Sequence, residues 1–215
     1  MALLFRSEGR KAIRSKKHLV SENGERCSRL ARETNRGNLM KQAESNTHRN
    51  RQVCVLGSAE PGSAAYELAG AAGELLARSG ITLVSGCGSP ATRIAAERAL
   101  AAGGLVVSIV PSDDIDLQNW PCSVLIPCGM GDARNLLMAL AGDACLVIGG
   151  RAGTISEVCL AWLHHRPLLP LTGCGGWSDQ LEQNPPDERR NSKILSWSSI
   201  AELKTRLEEL GLATT

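Results

Sequence analysis

Aromatic side chains make up only 3 % of this 215-residue chain, with a single Tyr and a single Phe beside four Trp. That scarcity argues against a base-stacking platform for single-stranded nucleic acid. No apolar run approaches the roughly 18 residues of a membrane-spanning helix, so no membrane association is expected. No Cys-x-x-Cys occurs, and the eight cysteines, at positions 27, 54, 87, 122, 128, 145, 159 and 174, lack the paired spacing of a zinc site. They read as free thiols of a reducing compartment, with the cytoplasm as the expected location. Cys54, Cys145 and Cys159 fall on expected core elements. Cys87, Cys128 and Cys174 fall on loops, and no metal ligand is assigned among them. Two familiar glycine signatures are missing as well. Neither the P-loop, with its Lys-Ser/Thr ending, nor the Gly-x-Gly-x-x-Gly of dinucleotide folds is present, and the first expected strand ends in Gly57-Ser-Ala-Glu60. A nicotinamide-dependent dehydrogenase is thereby disfavoured.

Charge divides the chain into unlike parts. Residues 1–51 hold 13 Lys+Arg against 5 Asp+Glu, and the remainder holds 11 against 17. The first part has few apolar residues and no sustained period, so it is expected to be a basic, disordered extension. A basic arm for nucleic acid is conceivable on charge alone, but only Phe5 offers an aromatic within it, and nucleic acid is not the expected partner. Its five glutamates and short apolar start do not suit a targeting sequence, and Met40 is an alternative start just ahead of the first strand.

From residue 52 onward, short β-branched runs alternate with helical stretches. Strands are expected at 52–57, 81–84, 105–110, 124–127, 144–148 and 167–171, and helices at 64–79, 90–102, 131–141 and 154–164. An edge strand at 193–196 and a final amphipathic helix at 198–210, with Ile200, Leu203, Leu207 and Leu210 on one face, complete the series. Such alternation specifies an α/β fold: a single doubly wound, Rossmann-like domain with a mostly parallel sheet over residues 52–215.

Ligands of open sheets bind beyond the carboxyl ends of the strands. The loops leaving those ends are glycine-rich and place Gly57, Ser58, Gly86, Gly88, Met130, Gly149, Gly150, Gly153 and Thr154 on the ligand side. Trp177, in Gly173-Cys-Gly-Gly-Trp, is either a stacking lid or a plug on the sheet edge. The segment Gly149-Gly150-x-x-Gly153-Thr154-x-x-Glu157 leads from a strand into a helix, the arrangement in which free N–H groups and the helix dipole receive a phosphate. Thr154 and Glu157 have the spacing of a capping box, so Glu157 is either structural or chemical. Arg134 falls near the start of the helix at 131–141, whose other face, with the apolar run Leu136, Leu137, Leu140 and Ala141, is expected to be buried; there its charge opposes the dipole unless a ligand anion or Glu157 answers it.

Three segments, Met130 to Asn135, Gly149 to Glu157 and Gly173 to Trp177, together resemble motifs of the LOG (lonely guy) superfamily of lysine decarboxylase-like Rossmann proteins. The resemblance spans about residues 52 to 180 and is closer to the branch of molybdenum cofactor carrier proteins. That branch reads Gly-Gly-Gly-x-Gly-Thr, carries Met-x-x-Ala-Arg-Asn, and has a late Gly-Gly-Trp loop. Departures are Arg151 for a glycine, Ala91 for a glycine and Arg93 for a methionine. The resemblance implies a small phosphorylated ligand, either molybdenum cofactor, a related pterin, or a nucleoside monophosphate. It also implies a homo-oligomer, a dimer or tetramer, and no cofactor required for turnover. Two functions follow from it. One is a carrier that binds its ligand through the backbone cradle, Thr154 and Arg134. The other is a phosphoribohydrolase that releases the base of a nucleoside 5′-monophosphate, with Glu157 and Arg134 as catalytic residues. Asn135 in place of Lys, the missing proline before Gly150 and the Trp177 loop favour the carrier.

Overall fold

The computed structural model describes residues 49–113, 119–188 and 192–213. The expected disordered extension falls on residues of which 1–48 lie outside the described ones. Among the described residues, six strands form one wholly parallel sheet: β1 (Gln52–Ser58), β2 (Thr82–Ser85), β3 (Val106–Val110), β4 (Val124–Pro127), β5 (Ala144–Gly149) and β6 (Leu168–Pro170). Their spatial order is β4-β3-β2-β1-β5-β6. The central strands β1 and β5 pair from Val53 with Ala144 to Ser58 with Gly149, and β5 is buried along its whole length. Burial on both faces explains why these strands read as continuous apolar runs rather than alternating ones.

Among the described residues, five α-helices cover the sheet: α1 (Ala64–Arg78), α2 (Pro90–Ala101), α3 (Arg134–Ala141), α4 (Ala152–Leu163) and α5 (Ile200–Glu209). On one face, α1, α2 and α5 enclose a cluster containing Val53, Val55, Leu83, Leu146 and Trp197. On the other, α3 and α4 enclose Cys54, Leu56, Val147, Met138 and Trp162. Serine side chains begin three of the helices, Ser63, Ser89 and Ser199 each accepting a hydrogen bond from the third backbone N–H beyond. Small residues set the α1–α2 distance. A Cβ on Gly73 would lie 2.0 Å from the Ala95 carbonyl oxygen, so only glycine admits so close an approach. The alanines of α2 that suit close packing are therefore consumed within the domain, where Ala91, Ala95, Ala96 and Ala99 are all buried.

Three expectations are corrected. The segment 193–196 is not a strand; it meets β6 through a single bridge, Leu168 with Ile194, and a second bridge joins Leu171 to Trp197 just beyond both. Trp197 anchors there, with its indole N–H donating to the Leu169 carbonyl at 2.9 Å. The buried residues of α3 are Asn135, Met138 and Ala139, whereas Leu136 and Leu140 are exposed, as are Val124 and Ile126 on β4. The register pairs Val124 and Ile126 with Val107 and Ile109, which places them on the sheet face that α3 and α4 cover further in. Cys159 is half-buried rather than a core residue, while Cys54 and Cys145 are fully buried.

Candidate functional site

From β1 the chain runs outward through β2 and β3 to β4, then returns to the far side of β1 to build β5 and β6. The switch in strand order therefore lies between β1 and β5, where adjacent loops part and leave a crevice. A cavity of about 230 Å³ opens near this place. Its walls include Gly57 at the end of β1, Gly86 to Ser89 after β2, Arg134 and Asn135 on α3, and Gly153, Thr154 and Glu157 on α4. The volume is below the ~300–1,000 Å³ of sites that enclose a drug-sized ligand, so it suits part of a nucleotide-sized molecule.

Glycine is required where these walls meet. Gly57 has φ +107° and its hypothetical Cβ would lie 2.0 Å from the Ile148 carbonyl oxygen, so β1 and β5 close up only with glycine there. A Cβ on Gly86 would fall 1.6 Å from an Arg134 guanidinium nitrogen. Glycine at 86 thus makes the seat of Arg134, whose Nη1 donates to the Gly86 carbonyl at 2.6 Å. Its Nε is buried without a hydrogen-bond partner among the described residues.

Glu157 is only 7 % exposed. Among the described residues its carboxyl group makes no hydrogen bond or ion pair. Burial pushes its pKa up from 4.5 to about 7, and the nearby Arg134 charge pulls the other way. A buried acid that titrates near neutrality can accept a hydrogen bond, donate one or transfer a proton. Beside it, Asn135 Nδ2 donates to Ser156 Oγ at 2.6 Å and ties α3 to α4.

The capping box is not formed. Helix α4 starts at Ala152, its N-cap residue is Arg151, and no side chain caps it. Gly149 and Gly150 both have positive φ, and they turn the chain early enough for Thr154 to lie inside the first helical turn. Thr154 and Glu157 then stand three residues apart on one helix face, both against the cavity.

Of the residues chosen from sequence, Gly57, Gly86, Gly88, Gly153, Thr154, Arg134 and Glu157 line the cavity, whereas Ser58, Met130, Gly149, Gly150 and Trp177 do not. The Gly149 N–H is already taken, donating to Ser178 Oγ at 2.9 Å in a buried bond. The glycine loop after β6 is organised in the same manner from within. One Asp179 carboxylate accepts from the N–H groups of Gly173 at 2.5 Å, Cys174 at 3.4 Å and Gly175 at 2.6 Å. Gly176 lies so close to Gly149 and Gly150 that a Cβ would approach within 2.9 Å of their backbone. Trp177, half-buried, packs against the α3–α4 side of the core. Sequence reasoning passed over Ser178 and Asp179; the acid following a glycine run was the available signal. It also passed over Asn135 as a cavity residue, although it ends the Met130 to Asn135 motif, whereas Cys87, expected on a loop, does line the cavity.

The departures have local explanations. Arg93 donates to Glu97 at 2.9 Å and to the Asn119 carbonyl at 2.8 Å, with its guanidinium 5.4 Å from the Trp120 ring. It holds residues 119–120 against α2. Ala91 is fully buried in the α1–α2 packing. Cys87 faces the cavity with φ +36°, and burial pushes its thiol up to about 11. Cys128 donates instead to the Val110 carbonyl, and Cys174 lies against Ser178. Among the described residues, no group of three His, Cys, Asp or Glu could hold a metal ion, and no helix is long and apolar enough to cross a membrane.

Known proteins share this architecture. An uncharacterized protein of Archaeoglobus fulgidus is 37 % identical over 110 residues, covering 51 % of this chain and 72 % of that protein. The crystal structure of TM1055 superimposes with a TM-score of 0.68 at 26 % identity, over 74 % of this chain and 99 % of the other. The molybdenum cofactor binding protein of Rippkaea orientalis gives 0.66 at 26 % identity, over 76 % and 99 %. The fold alone extends to DNA processing protein A of Helicobacter pylori, a single-stranded DNA binder, at 0.57 and 19 % identity over 74 % and 80 %. The SLOG cluster4 family model matches residues 50–203, most of the chain, and the protein belongs to that family.

Proposed function

We propose that this protein binds a small phosphorylated ligand, of nucleotide or pterin type, at the β1–β5 switch, as a carrier rather than a catalyst. The observation that carries the reading is the convergence of an unpartnered buried acid, Glu157, a seated guanidinium, Arg134, and the uncapped start of α4 on one cavity. The uncapped N–H groups suit a phosphate, and Glu157 suits a hydroxyl or ring N–H of the remainder. The molybdenum cofactor binding protein of R. orientalis supports the pterin as cargo. Exposed Val124, Ile126, Leu136 and Leu140 support the homo-oligomer that belongs to the same proposal.

A second reading is favoured by one observation. A carboxyl group at about 7 beside an arginine is poised for proton transfer at neutral pH, as a phosphoribohydrolase acting on a nucleoside 5′-monophosphate would need. Incubation with AMP, followed by assay for free adenine and ribose 5-phosphate, separates the two. The carrier reading expects AMP to bind without base release, Arg134→Ala to weaken binding ~10-fold, and Glu157→Gln to change it less. Catalytic base release, lost in Glu157→Gln, would make the protein a hydrolase.

A further inference from the structure

Arg151 is a cation that the site described so far leaves unused. It is the N-cap residue of α4, it is exposed, and among the described residues its guanidinium forms no hydrogen bond or ion pair, its backbone carbonyl alone being engaged by the Ile155 N–H. The peptide dipoles already concentrate positive charge at this helix end, so nothing in the fold attracts a guanidinium to it. Where α1, α2 and α5 place a serine that accepts a backbone N–H, α4 places a donor that cannot. The N–H groups of Ala152, Gly153 and Thr154 consequently have no side-chain acceptor among the described residues. A second, independent observation marks this helix start as the wall of a ligand site. Glu157, one turn further in and 7 % exposed, lines the same cavity as Gly153 and Thr154, with no partner for its carboxyl group among the described residues.

We infer, on the basis of the phosphate site proposed above, that Arg151 forms a second anion subsite at the rim, and that the ligand carries two adjacent phosphoryl groups rather than one. The leading N–H groups of α4 accommodate the first. Arg151 does not line the cavity. Its forked donors therefore meet an anion at the solvent side of the helix start, and a pyrophosphate places its second group next to the first. Arginine suits this task because its planar guanidinium matches two oxygens of one phosphoryl group and stays charged at every relevant pH. The uncharged part of the ligand then lies inward, toward Glu157. A glycine at 151, as in the motif that this stretch resembles, would leave the first subsite intact and remove the second.

The test uses the full chain and two probes that do not depend on the identity of the organic moiety, inorganic phosphate and pyrophosphate. Their affinities are read at constant ionic strength from the amide resonances of Gly153 and Thr154. Pyrophosphate should bind ~5-fold more tightly than phosphate, the scale of one exposed charge-assisted contact. Arg151→Gln should remove most of that preference while leaving phosphate affinity within about twofold. Lys204→Gln, which removes one positive charge from α5, should leave the preference unchanged. Equal affinities in the unmodified protein, or an equal loss of both anions in Arg151→Gln, would overturn the second subsite while sparing the first. If neither anion shifts Gly153 or Thr154, the phosphate site itself fails, and this inference with it.

Discussion

Glu157 shows how position decides the chemistry of a residue. On an exposed first turn it would be an ordinary carboxylate capping its own helix, but here it lies buried one turn inside, with its pKa raised from 4.5 to about 7. The folded protein therefore holds this proton more tightly than the unfolded chain does. Any stability gained from the protonated form is fully present below about pH 4.5 and is lost as pH rises through about 7. Replacement by Gln, which is never charged, should make the protein more stable at pH 8 by up to ~3 kcal/mol and change it little at pH 4.5. Urea denaturation at the two pH values measures this, and equal effects at both would mean that the folded protein holds the Glu157 proton no more tightly than the unfolded chain does. Arg134 and Glu157 were both legible in the sequence as chemistry-bearing residues. Their environment was not, because the seat of Arg134 is the Gly86 carbonyl on another loop, and the walls around Glu157 come from the end of β1, the loop after β2 and α3.

Helices and loops carry the errors of sequence reading as well as its successes. The alternation of apolar runs with alanine-rich stretches placed the six strands to within one residue and the five helices to within three, and added an edge strand at 193–196 that does not form. The start of α4 was misplaced because Thr154 and Glu157 imitate a capping box, whereas two positive-φ glycines begin the helix at Ala152. The loop ending at Trp177 is expected on the ligand side, with Trp177 itself either a lid or a plug; Trp177 packs against the core and does not line the cavity. The N–H groups of that loop converge on Asp179, and Ser178 supports the turn at Gly149. No periodicity encodes such contacts, since one set closes a single irregular loop on its own acid and the other joins two different loops. Ser178→Ala should leave the Gly149 N–H buried without an acceptor and cost about 1–3 kcal/mol. Chemical denaturation checks the cost; no change in midpoint would show that the turn does not depend on Ser178.

At the scale of the whole domain, strand order positions the site. Because β5 returns to the far side of β1, the ends of β1 and β2 and the starts of α3 and α4 meet around one crevice. Parallel alternation and the glycine-rich strand ends made that crevice legible as a location, and the family match covers the same elements. Ligand identity was less legible, because it depends on how loop side chains converge. The most direct measurement is mass spectrometry of small molecules released from the natively purified protein, alongside an Arg134→Ala variant. A phosphorylated pterin or nucleotide should be released from the unmodified protein in near-stoichiometric amount and be depleted from Arg134→Ala. A ligand retained equally by both, or one without a phosphoryl group, would contradict a phosphate-binding site at the β1–β5 switch.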